Sequence, residues 1–359
     1  MPAGFKHNTD LLLDAADREA FAARFPQFMF AFDDAGLRAL IEPADAQAAK
    51  AKWRSRRAGV LAITLVTVSL MAGAFSTILI GEPWFRIVVA IAAAGAVIGL
   101  FIGWAGVLAA GARDEWLRQR YLCERIRQLH FQTLTRWAPM IIDGARRNDP
   151  ARFLAARLAR TEKFRNRIIN PSAVKLTHLL SERDEDDVWL VEADDGPLAD
   201  DELSSRYFEA LEELRLRHQV NFTSLQLLSF WTFPPKSPLQ MAKLLTGVGA
   251  FSALLLLVLG VIGLVIDAAT GRLASLTHAV MVCLAVVLLA VRTLEEGFQV
   301  HSDVGRYRIY EASLRRLSDR FQAAGGNAEK QAVLIELEET CFDEMVGFLR
   351  SLHEARIVI

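Results

Sequence analysis

IVVAIAAAGAVIGLFIGWAGVLAA, residues 87–110, decides the fold. No charge interrupts it. At 1.5 Å rise per residue it makes about 36 Å of helix, more than the roughly 30 Å of a bilayer's hydrocarbon core. Gly95, Gly99 and Gly103 recur every fourth residue and line one helix face. Small residues at that spacing let helix backbones approach closely in lipid. The stretch reads as a spanning helix packed against a neighbour, and its glycine face as a surface for helix packing and oligomerisation. Behind it, RDEWLRQRYLCERIRQLHFQ (113–132) continues without a break as a basic amphipathic helix.

Upstream, Ala58 to Ile80 forms a first span, joined to the second by the short GEPWFR turn at 81–86. KAKWRSRR (50–57) precedes it. Lys and Arg gather at the cytoplasmic ends of spans, and Trp at headgroup level, so Trp53 belongs near the headgroups. Residues 1–57 read as a cytoplasmic helical arm. The first 30 lack the apolar core of a secretory leader. Asn8, Thr9 or Asp10 caps a short helix ending at Arg24. FPQFMFAF (25–32) reads as a small core that docks the arm, or as an interfacial membrane contact.

Downstream, residues 111–242 form a cytoplasmic, mainly helical segment. Arg146 to Arg167 is basic, with Arg157, Arg160, Lys163 and Arg167 at helical spacing. SERDEDDVWLVEADDGPLADDE (181–202) is acidic. The two blocks solvate or pair with each other, or the basic face takes anionic headgroups or a nucleotide-like ligand. Val188 to Val191 is a candidate short strand. A long helix from about Asp200 to Phe230 follows, capped by Asp200 or Asp201, and TFPPKSP (232–238) ends it. A second hairpin, 243–291, holds spans at Leu244–Ile266 and Leu273–Val291. Residues 292–359 read as a cytoplasmic pair of amphipathic helices, Glu295 to Ala324 and Ala328 to Arg356, that need a partner surface to bury their apolar faces. The fold class is all-α integral membrane protein: four transmembrane helices as two hairpins (58–110 and 243–291) with cytoplasmic bundle or coiled-coil extensions.

Composition agrees with a membrane part joined to a sizeable water-exposed part: 52% of the 359 residues are hydrophobic, yet 23% are charged. The net charge of −1 provides no global basic field for nucleic acid. Cys123, Cys283 and Cys341 are far apart, without zinc-ligand spacing, and read as reduced thiols. No phosphate-cradling glycine loop, nucleophile elbow or HExxH helix is present. The chain therefore reads as a non-enzyme with no cofactor and no metal. The spans hold only Thr64, Thr67, Ser69, Ser76, Thr77, Thr246 and Ser252 as notable polar positions, suited to interhelical hydrogen bonds or to a narrow path in an oligomer.

WLRQRYLCERIRQLHFQ, with Trp116, Arg120, Glu124 and Arg127, resembles the post-membrane helix of SLATT-type proteins, a two-transmembrane effector family of bacterial conflict and anti-phage systems. RLRHQVNF (215–222), RYRIYEASLRRLSDRF (306–321) and LEETCFDEMVGFL (337–349) are similar to that family's flanking helices. Two features depart from the pattern. Phe348 stands where a tryptophan is expected, and two hairpins share one chain. The resemblance implies an effector of the bacterial inner membrane, and the basic flanks of both hairpins place the termini and the central segment in the cytoplasm. The resemblance also implies a homo-oligomer that forms a pore or disrupts the membrane when a nucleotide second messenger or a sensor protein signals. A membrane scaffold that recruits a soluble enzyme through its cytoplasmic helices fits the same spans.

Overall fold

In a computed structural model of the chain, the described residues are 8–76, 78, 80, 82–108, 110–169, 188–194, 196–229, 235, 237–270 and 275–354. Side-chain surroundings at 103–113, 267–270, 275 and 354 fall outside the description. Among the described residues every regular element is helical: α1 (Ala15–Arg24), α2 (Met29–Phe32), α3 (Ala35–Ser76), α4 (Phe85–Leu108), α5 (Ala110–Arg136), α6 (Ala138–Arg147), α7 (Ala151–Phe164), α8 (Glu202–Leu211), α9 (His218–Gln226), α10 (Pro238–Thr270), α11 (Ser275–Phe298), α12 (Val300–Ala323) and α13 (Asn327–Glu354). Four helices, α3, α4, α10 and α11 with its continuation, are long and apolar enough to cross a membrane. The chain folds as two compact units.

One unit gathers Met1–Ala49, Trp116–Leu228 and Val304–His353. Its core is built from pieces far apart in sequence. Phe25, Phe28 and Phe32 of the FPQFMFAF run are buried there, with Phe28 edge-on to Tyr207 at 5.1 Å and Phe30 edge-on to Phe153 at 5.8 Å. That aromatic stretch is a docking core, as the first of its two readings has it. The caps differ from the sequence expectation in one place. Asp14 caps α1, its Oδ1 accepting from the Ala16 amide at 3.4 Å, while Asp10 is 1% exposed inside the unit. Asp201 caps α8 by accepting from the Ser204 amide at 2.8 Å. Asp200 caps a different helix, accepting from the Asn327 amide at 2.6 Å at the start of α13. Two adjacent aspartates thus fix the ends of two helices, and each satisfies an amide that a helix N-terminus leaves without an intrahelical partner.

The candidate strand at Val188–Val191 is not one. Gln132 of α5 takes the place of a neighbouring strand: its Nε2 donates to Val188 O at 2.8 Å and its Oε1 accepts from the Leu190 amide at 2.7 Å. Arg136 donates to Val191 O at 2.8 Å and stacks over the Trp189 ring at 3.7 Å. Buried backbone groups need partners, and here side chains of a helix supply them. The helix expected from Asp200 to Phe230 exists from Glu202 to Gln226, with its middle, Glu212–Arg217, widened into a π-helical stretch.

The other unit gathers Lys50–Glu115 and Ser229–Asp303, together with Glu354–Ile359. It contains the apolar parts of all four candidate spans. The sequence boundaries are shifted. The arm helix and first span are one 42-residue helix, α3, and α11 runs on past Val291 to Phe298. Gln299, at φ 50°, separates α11 from α12, so the helix expected to begin at Glu295 begins at Val300. Leucine, valine and phenylalanine cover the outside, Leu264 being 71% and Phe101 62% exposed. Such a surface suits hydrocarbon and not water.

Gly95 and Gly99 pack within this unit, against α3 of the same chain. A Cβ at Gly95 would collide with Ser69 Oγ, and one at Gly99 would lie 2.8 Å from Val66 Cγ2 and 3.1 Å from Ala62 O. The close approach expected of the glycine face is present at these two positions, where the neighbouring helix is α3. Gly103 continues α4, and its surroundings lie outside the described residues. Gly249 of α10 faces Val291 and Leu288 of α11, and Gly260 faces Met281, so these two helices run antiparallel. Cys283 lies 3.8 Å from Met71 O, linking α11 to α3.

Candidate functional site

The residues that carry the family resemblance sit at 116, 120, 124 and 127, one face of α5. Trp116 is buried and edge-on to Phe348 at 6.4 Å. Phe348, the position that departs from the family pattern, also lies under the Arg306 guanidinium at 4.8 Å, and Arg306 pairs with Glu344.

The other three open an ionic chain that runs from the half-buried Arg120 and Glu124 into the buried Arg127. Arg120 meets Glu124 at 2.6 Å, and Arg127 Nη1 donates to both Glu124 oxygens at 3.1 Å. Arg127 Nε lies 3.0 Å from Asp10, and its Nη2 donates to Asn8 Oδ1 at 2.6 Å. Asp10 is also 4.0 Å from Arg215 and 3.8 Å from His218, whose Nδ1 is 3.2 Å from Thr9 Oγ1. Arg215 ends the chain on α13: Nε and Nη2 donate to the two Glu338 oxygens at 2.6 and 3.0 Å, over the Phe131 ring at 4.4 Å. Three arginines face three carboxylates, Asp10, Glu124 and Glu338. Balance of this kind is what a low-dielectric interior demands of buried charge.

Local structure aims these groups. Leu214, Arg215 and Leu216 are all buried, on the π-helical stretch between α8 and α9. Widened turns of this sort recur at functional sites. Burial alone would raise the Glu124 carboxyl, but Arg120, Arg127 and Arg215 outweigh it and hold it down to about 2. Burial raises the Glu338 carboxyl above its ordinary range, with Arg215 opposing. Burial pushes the Cys123 and Cys341 thiols up to about 12, so neither is a thiolate at neutral pH. His130, nearby on α5, is held down to about 4 by burial, with Asp34 and Arg157 opposing each other around it.

Chemically, this network fastens rather than reacts. It joins the N-terminal turn, α5, the π-helical stretch and α13, four pieces of chain drawn from both ends and the middle of the sequence. Among the described residues, no group of three or more His, Cys, Asp or Glu side chains is placed to hold a metal. An open groove of about 300 Å³ is lined by Leu40, Pro43, Gln47, Arg118, Tyr121 and Ile169 among others, and by none of the network's charged residues.

The basic residues chosen from sequence do not share one outward face. Arg157 turns inward: Nη1 donates to Phe30 O and Ala31 O at 3.1 and 3.2 Å, and Nε is 3.5 Å from Asp34. It bolts the aromatic turn to α7 and is not free for a ligand. Arg160 is largely buried and, like the exposed Lys163, lies 3.9 Å from Glu192 of the acidic block. Arg167 is exposed on the π-helical stretch Arg165–Ile169. Asp10, Arg215 and Glu338, central to the network, were not legible as a set. Their partners lie 123 residues apart in one case and further in others. The one available signal was a charged residue inside an otherwise apolar helical face.

In the spans, Ser69 and Ser252 are buried, Ser76 Oγ donates to Gly73 O at 2.6 Å and Thr246 Oγ1 donates to Glu295 at 3.3 Å. Thr77 lies outside the described residues. Comparison with protein-family models, curated proteins and solved structures gives no match.

Proposed function

We propose that this chain is a membrane effector: a multi-pass protein of the bacterial inner membrane, with both hairpins returning to the cytoplasm, that oligomerises and dissipates the membrane potential in anti-phage defence. A nucleotide second messenger or a sensor protein acting on the helical body is its trigger. One observation carries this reading: three chain segments that flank the spans are closed on each other by a buried ionic network. Breaking such a network would release those segments from one another, which is the change a trigger has to produce. The resemblance of Trp116, Arg120, Glu124 and Arg127 to the SLATT-type helix supplies the class of output. With Gly95 and Gly99 occupied inside the chain, oligomerisation runs through other surfaces.

A second reading is a membrane anchor without a pore. The hydrogen bonds of Ser76 and Thr246 favour it, because they leave fewer polar groups for a conducting path.

Membrane potential, read with a fluorescent dye in bacteria carrying the chain and its neighbouring genes, separates the two. Depolarisation confined to phage-infected cells is the expected result for the effector. An intact potential during infection, with the protein recovered in the membrane fraction, overturns the effector and leaves the anchor.

A further inference from the structure

Glu295, near the end of α11, is the one buried carboxylate among the described residues of the four-helix unit. Its two oxygens have different neighbours. Oε2 accepts from Arg292 Nη1 at 2.8 Å. Oε1 faces two other helices, 3.3 Å from Thr246 Oγ1 of α10 and 3.6 Å from His301 Nε2 in the first turn of α12. Thr246 Oγ1 and His301 Nε2 are themselves 3.5 Å apart. The same three atoms, from three helices, thus form a nearly equilateral triangle.

Its size decides what it suits. Side-chain O–H···O bonds run about 2.5–3.0 Å and N–H···O bonds about 2.7–3.2 Å, so all three sides are long for direct hydrogen bonds. They match a shared ion. A cation bound tetrahedrally by three atoms about 3.5 Å apart lies about 2.1 Å from each, the ordinary zinc–nitrogen and zinc–oxygen distance. Calcium takes ligands at about 2.3–2.6 Å, and the octahedron of magnesium draws neighbouring ligands to about 3.0 Å. Imidazole with carboxylate is also a zinc-type set. The His301 side chain is 61% exposed, so water reaches a fourth position. Arg292 holds the free carboxylate oxygen, as outer partners of metal-bound carboxylates do.

The bend between α11 and α12 assembles the triangle. On a straight helix Glu295 and His301, six residues apart, would stand about 9 Å apart along the axis and on different faces. Gln299, left-handed at φ 50°, turns the chain between them. We propose that Thr246 Oγ1, Glu295 Oε1 and His301 Nε2 bind one divalent transition-metal ion of the zinc class, which fastens α10, α11 and the first turn of α12. Sequence spacing does not announce the site: Thr246 and Glu295 are 49 residues apart, and the third ligand is a hydroxyl, outside any trio of His, Cys, Asp and Glu.

The test titrates Zn²⁺ by calorimetry into the full chain in detergent, purified without a polyhistidine tag. Co²⁺ then reports geometry through its visible absorption. The expected result is one ion per chain and the intense bands of tetrahedral Co²⁺. His301→Ala, at an exposed position that leaves the fold intact, should weaken Zn²⁺ binding at least about a hundredfold and remove the bands. Thr246→Val, where water can take the place of the hydroxyl, should weaken it about tenfold. His278→Ala, an exposed histidine about 25 Å along α11 from Glu295, should leave binding at the native strength. The absence of saturable Zn²⁺ binding overturns the proposal, as does binding that His301→Ala retains at native strength.

Discussion

Arg215 and Ser69 are both buried polar residues, and they are buried by different means. In the helical body, Arg215 is surrounded by aromatic and aliphatic side chains and brings its charge with it, answered by both oxygens of Glu338. In the four-helix unit, Ser69 is packed against Gly95, where backbone closeness leaves no room for a larger group. The body hides charge by pairing it; the four-helix unit keeps charge out of its apolar windows, pairs its one buried carboxylate among the described residues, Glu295, with Arg292 near the end of α11, and hides small hydroxyls by packing. The difference follows from the surroundings. A water-facing body can recruit long charged side chains from its surface into a core. A unit that displays Leu264 and Phe101 outward has no such supply, and an unpaired charge inside it carries a high free-energy penalty.

The sharpest way to break this contrast is to remove one partner in the body. Glu338→Ala leaves Arg215 buried without its bidentate carboxylate, and the expected loss is about 3–5 kcal/mol. Denaturant unfolding of the solubilised chain, followed by near-ultraviolet circular dichroism, reads it. A Glu338→Leu, Arg215→Met double variant is expected to recover most of that loss, because a well-packed apolar pair replaces an ion pair at little net cost. If Glu338→Ala alone shifts unfolding by less than about 1 kcal/mol, the network is not the fastening described here.

A second prediction concerns pH and again sets the body apart. His130 takes a proton in the unfolded chain near its ordinary value of 6.5 but in the folded chain only near about 4. The unfolded state binds the proton first, so stability is full above about pH 6.5 and falls as pH drops toward about 4. The loss amounts to at most about 3 kcal/mol. Glu124, held down to about 2, adds its own loss below its ordinary value of 4.5, a separate and lower window. Stability measured at half-unit pH steps should slope downward between 6.5 and 4.5 in the native chain and run flatter there in His130→Gln. An equal slope in the two proteins assigns the pH dependence to other groups.

How much of this was legible in sequence differs between the two units for the same physical reason. Apolar runs are local, so the four spans and the aromatic docking turn could be read from adjacent residues. So could a glycine face that demands close packing, although spacing alone does not say which helix fills it. The ionic network is non-local. Arg127 and Asp10 meet across more than a hundred residues, and no local pattern reports that a particular arginine faces inward. Arg157 shows the converse error: its helical spacing with Arg160 and Lys163 suggested one outward stripe, but Asp34 and two carbonyls draw it into the core. The strand expected at Val188–Val191 failed because residue preference describes what a segment suits, while Gln132 and Arg136 provide its hydrogen bonds from a helix.

The smallest predicted effect tests the other half of the contrast, burial by packing. Gly99→Leu brings a branched side chain to a site where even a Cβ lies 2.8 Å from Val66 Cγ2 and 3.1 Å from a backbone oxygen. The valine tip can shift; the Ala62 carbonyl of α3 cannot without moving the helix. Overpacking of this kind costs about 1–3 kcal/mol. Gly247→Leu is the matched control, since a Cβ there meets nothing within 4 Å and the position is exposed on α10. Both variants add the same apolar bulk to a spanning helix, so insertion into the membrane should be equal. Cysteine cross-linking between α3 and α4 should then fall several-fold in Gly99→Leu and stay at the native level in Gly247→Leu. Equal cross-linking in both would mean that α4 is held to α3 by its connecting turn alone. Glycine would then do in this unit nothing comparable to what Glu338 does in the body.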